Sequence, residues 1–427
     1  MRISSPQAFN NGVQGIQRNY ANATRTQEQI STGNRILTPA DDPVASVRLL
    51  QLEQQQNVLT QYADNLSAAT NSLTQEESTL NTVNNILQRV RELAVQSGDG
   101  ALSQGDRQSI ALELREREDE LLALFNSRNA RGEYLFAGFE GKSQPFVRNA
   151  SGNYQGDEGQ RELQVASSLS LPINDNGKKL FENIVNAGRL NSSGILAPVP
   201  AGSTLSVSAP LVQDEIAFSA APPNNFPDAG IQIVFGNPSA ESYEVFAIDP
   251  ASVTIPPAAL PGVLASGRLD GNPSSSDQLV FRGVRVQFDG VPVGTEAIQI
   301  TRDPTQQKQG ILATVKALRT ALESTPDTPA GNLVIRDAVA EALTNLDHGM
   351  TTVDGVRGEI GARLNVIDSA QTDNEDVSLV NKSVQAELRE LDYAEALSRL
   401  SFETIILEAA QQSFVKVSGL NLFNQLR

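Results

Sequence analysis

The fold is decided by residues 59–94, LTQYADNLSAATNSLTQEESTLNTVNNILQRVRELA. Apolar side chains recur through this stretch at alternating steps of three and four, which places them on one face of an α-helix. Glu76 is the single polar member of a series that otherwise comprises Leu59, Tyr62, Leu66, Ala69, Leu73, Leu80, Val83, Leu87, Val90 and Ala94. A helix over residues 44–96 would be roughly 80 Å long. Such a length predicts packing along a coiled-coil seam.

Proline separates two helical flanks from the centre of the chain. Of 21 prolines, 16 lie between Pro145 and Pro304, and none lies in residues 44–144 or 330–427. Proline costs about 3 kcal/mol inside a helix. The chain is therefore predicted to run helix, insert, helix.

The N-terminal flank contains a shorter helix before the long one. Its three-four series is Phe9, Val13, Ile16, Tyr20, Ala23, Gln27 and Ile30. A polar break follows at residues 31–34. Asp42 and Pro43 then have the residue types of an N-cap and a first helical position. After a turn at residues 97–105, a further helix is predicted to end near 129–132, with Gly132 as its left-handed cap.

The C-terminal flank mirrors this pattern. A short helix over residues 311–322 should stop at 324–329, and the spacing resumes over 339–367. One final helix is predicted to carry Val384, Leu388, Leu391, Leu397, Phe402, Ile405 and Ala409.

The centre alternates polar and apolar residues in short runs that predict strands. These runs are Ile231–Phe235, Tyr243–Ile248, Gln278–Phe288 and Glu296–Thr301. Turn signals at Asn176–Gly177 and Asp289–Gly290 accompany them, the second of them lying between two strand-like runs.

The predicted fold class is mainly α with a β insert: a long antiparallel coiled-coil bundle formed by both chain ends, plus one or two small β-rich outer domains. We divide the chain into an N-terminal assembly helix and linker, a long helical hairpin, the β insert, C-terminal bundle helices and a C-terminal assembly helix. Their bounds are 1–42, 43–138, 139–304, 305–378 and 379–427.

Composition excludes several classes of function. The 427 residues carry a net charge of −17, which argues against a nucleic-acid binder. The chain has no Cys and one His, so neither a cysteine nucleophile nor a zinc site built on several imidazoles is available. No apolar run reaches about 18 residues, and the N-terminus lacks the features of a secretory signal peptide.

Four local patterns invite a chemical interpretation, and each has a better structural one. Asp41–Asp42 is expected to cap a helix rather than bind a metal. The Gly98–Asp99–Gly100 sequence lacks the ligand register of a calcium loop and is expected to be a plain turn. His348 has no nucleophile elbow to accompany it and is expected to be a solvated helix residue. Residues 113–120, ELREREDE, are expected to form a solvated helix face. We therefore expect no enzymatic activity, no cofactor and no metal.

The chain ends are the best candidate binding surface, because each end helix alone would leave an apolar strip in water. The end helices could simply pair with each other, or they could also pack against neighbouring subunits. Candidate subunit-interface residues are Phe9, Val13, Ile16, Tyr20, Ile30, Val384, Leu388, Leu391, Leu397, Phe402, Ile405, Leu420, Leu422 and Phe423.

Motifs at both ends resemble the bacterial flagellin and hook-associated protein superfamily. At the N-terminal side they are MRISS at 1–5, QISTGNRI at 29–36, PADDP at 39–43 and GEYLFAG at 132–138. At the C-terminal side they are LDYAEALSRL at 391–400 and QQSF at 411–414. The resemblance covers roughly residues 1–140 and 305–427, and it reaches the centre only through a Val284–Ile300 hairpin.

The resemblance implies a structural subunit of the hook–filament junction, with helical ends packed inside and the insert facing solvent. The implied partners are hook-associated protein 1, flagellin, copies of the chain in a ring and a cytosolic export chaperone. Export through the flagellar type III apparatus would place the protein on the extracellular flagellum. Two alternatives remain at this stage: a filament-forming flagellin, and an adhesin or enzyme carried by the β insert.

Overall fold

A computed structural model describes residues 5–148, 154–196, 201–237, 239, 241–249, 262–272, 275–293 and 295–425, with the backbone alone described for 5, 6, 8 and 417–425. The chain forms two compact units. The terminal unit comprises Met1–Ser67, Val165–Ser167 and Ile367–Arg427, and the central unit comprises Ala68–Gln164 and Ser168–Val366. Long helices in both flanks and a β-rich centre confirm the predicted fold class.

Seven α-helices are present in the described part of the chain. They are α1 Ser5–Thr32, α2 Pro43–Ser97, α3 Gln104–Phe125, α4 Glu215–Phe218, α5 Ile311–Ser324, α6 Pro329–Arg389 and α7 Tyr393–Gln425. The long helix predicted over residues 44–96 is α2. Every position of its three-four series from Leu66 to Ala94 is buried, including Glu76. The hydrophobic period therefore does identify the face that α2 packs inward.

Side-chain caps define the starts of two helices. Asp42 Oδ1 accepts a hydrogen bond from the Ala45 amide at 3.0 Å, which confirms the predicted cap of α2. Ser103 and Asp106 form a reciprocal capping box at the start of α3. Asp99 Oδ1 accepts from the Ala101 amide at 3.0 Å, so this loop is the expected turn.

The predicted end of α3 is wrong. The helix stops at Phe125 because the Asn126 side chain caps its C-terminal end. Asn126 Nδ2 donates to Leu122 O and to Phe146 O, both at 2.9 Å. Gly132 does have a left-handed backbone, with φ 80°. It lies in a turn beyond the helix, where its amide donates to Asn129 O at 2.9 Å.

The prediction of one final helix is also wrong, because α6 ends at Arg389 and α7 begins only at Tyr393. Asp392 Oδ1 accepts from the amides of Ala394 and Glu395 at 2.9 and 3.2 Å and so begins a new helix. Residues 384 and 388 consequently belong to α6 and residue 397 to α7, whereas residue 391 lies in the break.

Eleven strands occur in the described centre of the chain. They are β1 Glu162–Ala166, β2 Leu169–Pro172, β3 Leu190–Ile195, β4 Ser206–Val207, β5 Leu211–Val212, β6 Ile231–Phe235, β7 Ser242–Ala247, β8 Ala265–Arg268, β9 Ser276–Phe281, β10 Val284–Asp289 and β11 Ala297–Arg302. Between β2 and β3, Lys178–Glu182 forms one turn of π-helix, so the Asn176–Gly177 signal precedes a helical turn.

Strands β3 to β11 form two antiparallel sheets that share one hydrophobic core, and β1 and β2 form a separate two-stranded sheet. One sheet has the order β3-β11-β6-β7-β8. In the other, β10 pairs with β9 and with the short strands β4 and β5. Phe235 and Phe288, one from each sheet, meet edge to face with ring centroids 4.9 Å apart. The two sheets are therefore parts of one β-rich domain.

The expected Val284–Ile300 hairpin is wrong, since β10 and β11 lie in different sheets. Gly290 turns the chain out of the first sheet with φ 84°, and a Cβ there would lie 2.2 Å from Thr204 O. The true hairpin joins β9 to β10 through Arg282 and Gly283, both left-handed. Two such residues are the requirement of a tight type I′ turn.

Candidate assembly surface

Helices α1 and α7 pair with each other inside the terminal unit. Their contact buries Ala23, Thr26 and Gln29 of α1 and Ala396 of α7. Near the far end of the pair, the Phe9 and Phe414 rings approach to 5.0 Å between centroids. The first expectation for the end helices, that they pair within one chain, is therefore met in this structure.

The pairing leaves several apolar side chains of α1 and α7 facing solvent, and we call this group the apolar strip. Side chains that remain more than half exposed define this strip: Phe9, Tyr20, Leu397, Phe402, Ile405, Ile406 and Val415. Single exposed apolar residues are ordinary, but several on two paired helices are a candidate interaction site. The strip is thus the strongest candidate surface of the terminal unit.

The predicted interface residues fall into four groups. Five lie on the apolar strip: Phe9, Tyr20, Leu397, Phe402 and Ile405. Five are half-buried, namely Val13, Ile16, Ile30, Val384 and Leu388, and Leu391 is buried. The side chains of Leu420, Leu422 and Phe423 lie outside the described residues. Their membership of a subunit interface remains a prediction.

Sequence reasoning missed further exposed apolar residues in the same unit. Val44, Val47 and Leu50 lie three residues apart along α2, and Leu379 and Val380 lie on α6; all five are more than half exposed. The three-residue spacing of Val44, Val47 and Leu50 could have indicated this surface, because it places the three side chains on one face of the helix.

The two helix breaks of the terminal unit bind each other. We call residues 33–35 and 388–391 the latch. The Arg35 amide donates to Arg389 O at 2.8 Å, and the Leu391 amide donates to Gly33 O at 3.0 Å. Each strand of the latch also contributes an arginine: Arg35 Nη2 donates to Leu388 O at 3.0 Å, and Arg389 Nε donates to Asn34 Oδ1 at 2.9 Å. The end of α1 is thereby tied to the end of α6.

The latch requires glycine at position 33. Gly33 has φ 71°, and a Cβ there would lie 2.9 Å from the hydroxyl of Tyr393. Gln29 closes the same turn by donating from Nε2 to Arg35 O at 2.6 Å. The motif QISTGNRI therefore contains both residues that shape this turn, the buried Gln29 and the left-handed Gly33.

Asp41 organises the linker after the latch. Its Oδ2 accepts from the amides of Leu37 and Thr38 at 2.9 and 3.0 Å, and Arg25 forms an ion pair with it. The backbone amide and hydroxyl of Thr38, followed by the Leu37 amide, hold the pKa of this carboxyl below its usual value. Asp41 therefore caps a turn of the linker, whereas Asp42 is the expected cap of α2.

His348 is not the solvated residue that was expected. It is half-buried, and its Nδ1 lies 2.9 Å from Val185 O. Helical spacing alone could not reveal this contact because Val185 belongs to a distant loop. The charged run at residues 113–120 keeps its surface character, although Glu118 pairs with Arg319 of α5 at 3.0 Å.

Within the described ranges, no group of three or more acidic or imidazole side chains is placed to hold a metal ion. In the same part of the chain, no helix is both long and apolar enough to cross a membrane.

Comparison with known proteins shows which family the N-terminal flank matches. Residues 3–140 match the family described as the bacterial flagellin N-terminal helical region. This stretch comprises α1, the latch residues 33–35, α2 and α3. Residues 3–140 therefore form a flagellin-type N-terminal region, and the resemblance inferred from the motifs is confirmed.

The chain is also similar to flagellar hook-associated protein 3. It is 36% identical to the Salmonella typhimurium protein of that name over 186 residues, which are 44% of this chain and 58% of that protein. The match thus spans less than two thirds of the Salmonella protein. The Escherichia coli protein is 34% identical over the same shares.

Solved structures extend the similarity over most of the chain. Flagellar hook-associated protein 3 from Legionella pneumophila is 26% identical with a TM-score of 0.62, covering 79% of this chain and 98% of that one. FlgL from Xanthomonas campestris is 25% identical with a TM-score of 0.60, covering 78% and 99%. Over most of its length the chain is therefore similar to flagellar hook-associated protein 3 and to FlgL.

Proposed function

We propose that the chain is a structural subunit of the hook–filament junction that joins hook-associated protein 1 to the flagellin filament. The apolar strip on α1 and α7 carries this proposal, because it is an unsatisfied surface at the paired chain ends. Neighbouring copies in a ring would cover the strip, and the β-rich domain would face solvent.

Burial of the strip would contribute favourably to assembly. Fully burying a Leu, Ile or Phe side chain contributes about 1.5–3 kcal/mol. Seven side chains that are already partly covered would each contribute less, and together they would offset only part of the cost of ordering the ends. They must also overcome repulsion between subunits that each carry a net charge of −17.

Export and chaperone binding belong to the same proposal. The chain would leave the cell through the flagellar type III apparatus, and a cytosolic chaperone would cover its apolar C-terminal end beforehand. Truncation after Gln385 should abolish chaperone binding in a pull-down, and unchanged binding would refute the assignment.

Complementation of a strain lacking this protein tests the junction role. The strain should make hooks without filaments and secrete flagellin, whereas long filaments would refute the role. A variant carrying Phe402→Asp and Ile405→Asp should be exported and fail to restore filaments, because two charges would be buried in the subunit contact. Ser401→Asp is the matched control, since Ser401 is an exposed polar residue of the same helix, and it should restore them.

A further inference from the structure

A pair of carboxyl groups is buried inside the central unit. Glu76, the polar member of the α2 seam, is 1% exposed, and Asp175 is fully buried. Asp175 lies in the segment before the π-helical turn, and its amide donates to Glu76 Oε1 at 3.1 Å. Two neighbouring carboxyl groups removed from water strongly disfavour double ionisation.

The two nearby arginines form ion pairs with carboxylates other than that of Glu76. Arg363 of α6 forms a two-pronged pair with Asp175, at 2.8 and 3.3 Å, and also contacts Glu359 at 3.3 Å. Arg161 pairs with Glu133 at 2.7 Å. No ion pair of the described residues includes Glu76. The cluster therefore pairs Arg363 with Asp175 and leaves Glu76 without a direct cation.

Electrostatics agree with this geometry. Burial, and secondarily the Asp175 carboxylate, raise the pKa of Glu76 well above its ordinary value; the Asp175 amide, Arg363 and Arg161 oppose the rise. We infer that Glu76 is protonated in the folded central unit, so that folding takes up a proton and Glu76 acts as a pH-sensitive lock between α2 and residues 173–177. The lock is independent of the proposed assembly.

The sign of the pH dependence follows from linkage. The folded pKa lies above the ordinary value of 4.5, so the contribution of Glu76 to stability is fully present below that value. It is lost as pH rises through the folded pKa. Between the two values the folded state binds one more proton at Glu76, and this group alone lowers the folding equilibrium constant by about tenfold per pH unit.

Urea unfolding of the full chain between pH 5 and 9 tests the lock. Glu76→Gln keeps an oxygen that accepts from the Asp175 amide but cannot ionise. For each unit of pH increase, the folding equilibrium constant of wild type should fall by a factor up to about tenfold larger than that of this variant. Glu116→Gln, an exposed glutamate of α3, should retain the wild-type slope. Equal slopes for wild type and Glu76→Gln would overturn the inference.

A direct measurement covers the case in which Glu76→Gln does not fold. In folded wild-type protein labelled with ¹³C at glutamate carboxyl carbons, the Glu76 resonance at pH 6 should have the shift of a protonated carboxyl. The shift of a carboxylate at that pH would overturn the inference.

Discussion

At the residue scale, Gly33 shows how one position controls the geometry of the chain ends. It combines a left-handed backbone with close packing against Tyr393, and its carbonyl accepts a hydrogen bond across the latch. A side chain at this position would disturb both the turn and the tyrosine. The motif QISTGNRI is therefore best understood as the sequence of a turn, with no chemical role of its own.

Gly33→Ala should weaken assembly. A left-handed conformation costs an L-residue about 1–2 kcal/mol, which corresponds to a roughly 5–30-fold loss in an equilibrium constant. When the variant and wild type are co-expressed, mass spectrometry of purified junctions should show the variant under-represented by about that factor.

Gly15→Ala is the matched control for Gly33→Ala. Gly15 lies within α1, and a Cβ there would meet nothing within 4 Å. Alanine in a helix interior is favoured over glycine by about 0.5–1 kcal/mol. Incorporation should match or exceed that of wild type, and equal incorporation of Gly33→Ala would contradict the structural role of the latch.

At the element scale, the terminal helices are expected to depend on burial for their order. Helix α1 exposes Phe9 and Tyr20, and α7 exposes Phe402 and Ile405. By contrast, α2 buries its periodic face from Leu66 to Ala94. Helices without a covered apolar face are marginal in water.

Hydrogen exchange on the free monomer would measure this difference. Amides of residues 1–35 and 385–427 should exchange fast, whereas those of residues 66–94 should be protected. Both sets should be slow in assembled junctions. Slow exchange throughout the two ends of the monomer would show that assembly is not needed to order them.

The elements that sequence predicted well have a repeating local pattern. The three-four series, together with the cap signal at Asp42 and Pro43, located α2 to within a residue at each end. Alternation located β6 with the bounds that it has in the structure, because each period reflects one buried face. Phe402 and Ile405, which lie three residues apart on α7, were named from the same helical spacing.

The errors arose where a distant or non-periodic contact decides the structure. Asn126 ends α3 by donating hydrogen bonds to both Leu122 and Phe146, and Asp392 caps the start of α7. Similarly, the pairing partner of β11 is set by core packing, so proximity in sequence to β10 was misleading. A single sequence contains no period that reports such contacts.

At the scale of the whole molecule, the β-rich domain is expected to be dispensable for assembly. Its two sheets share a core of their own, and the apolar strip belongs to the terminal unit. The low apolar fraction of 39% is consistent with long helices that each bury one narrow face.

Removal of about residues 150–300, with both flanks retained, should preserve filament attachment in the complementation strain. A variant of this kind that is exported at wild-type levels but leaves hooks bare would show that the insert makes essential contacts. Immunoblotting of the culture medium controls for export.

The most direct test of the account is electron cryo-microscopy of the assembled junction at side-chain resolution. The account predicts that Phe402, Ile405 and Val415, exposed in the single chain, are buried between neighbouring subunits. If these side chains still face solvent, and subunits instead meet through the β-rich domain, the central claim is contradicted.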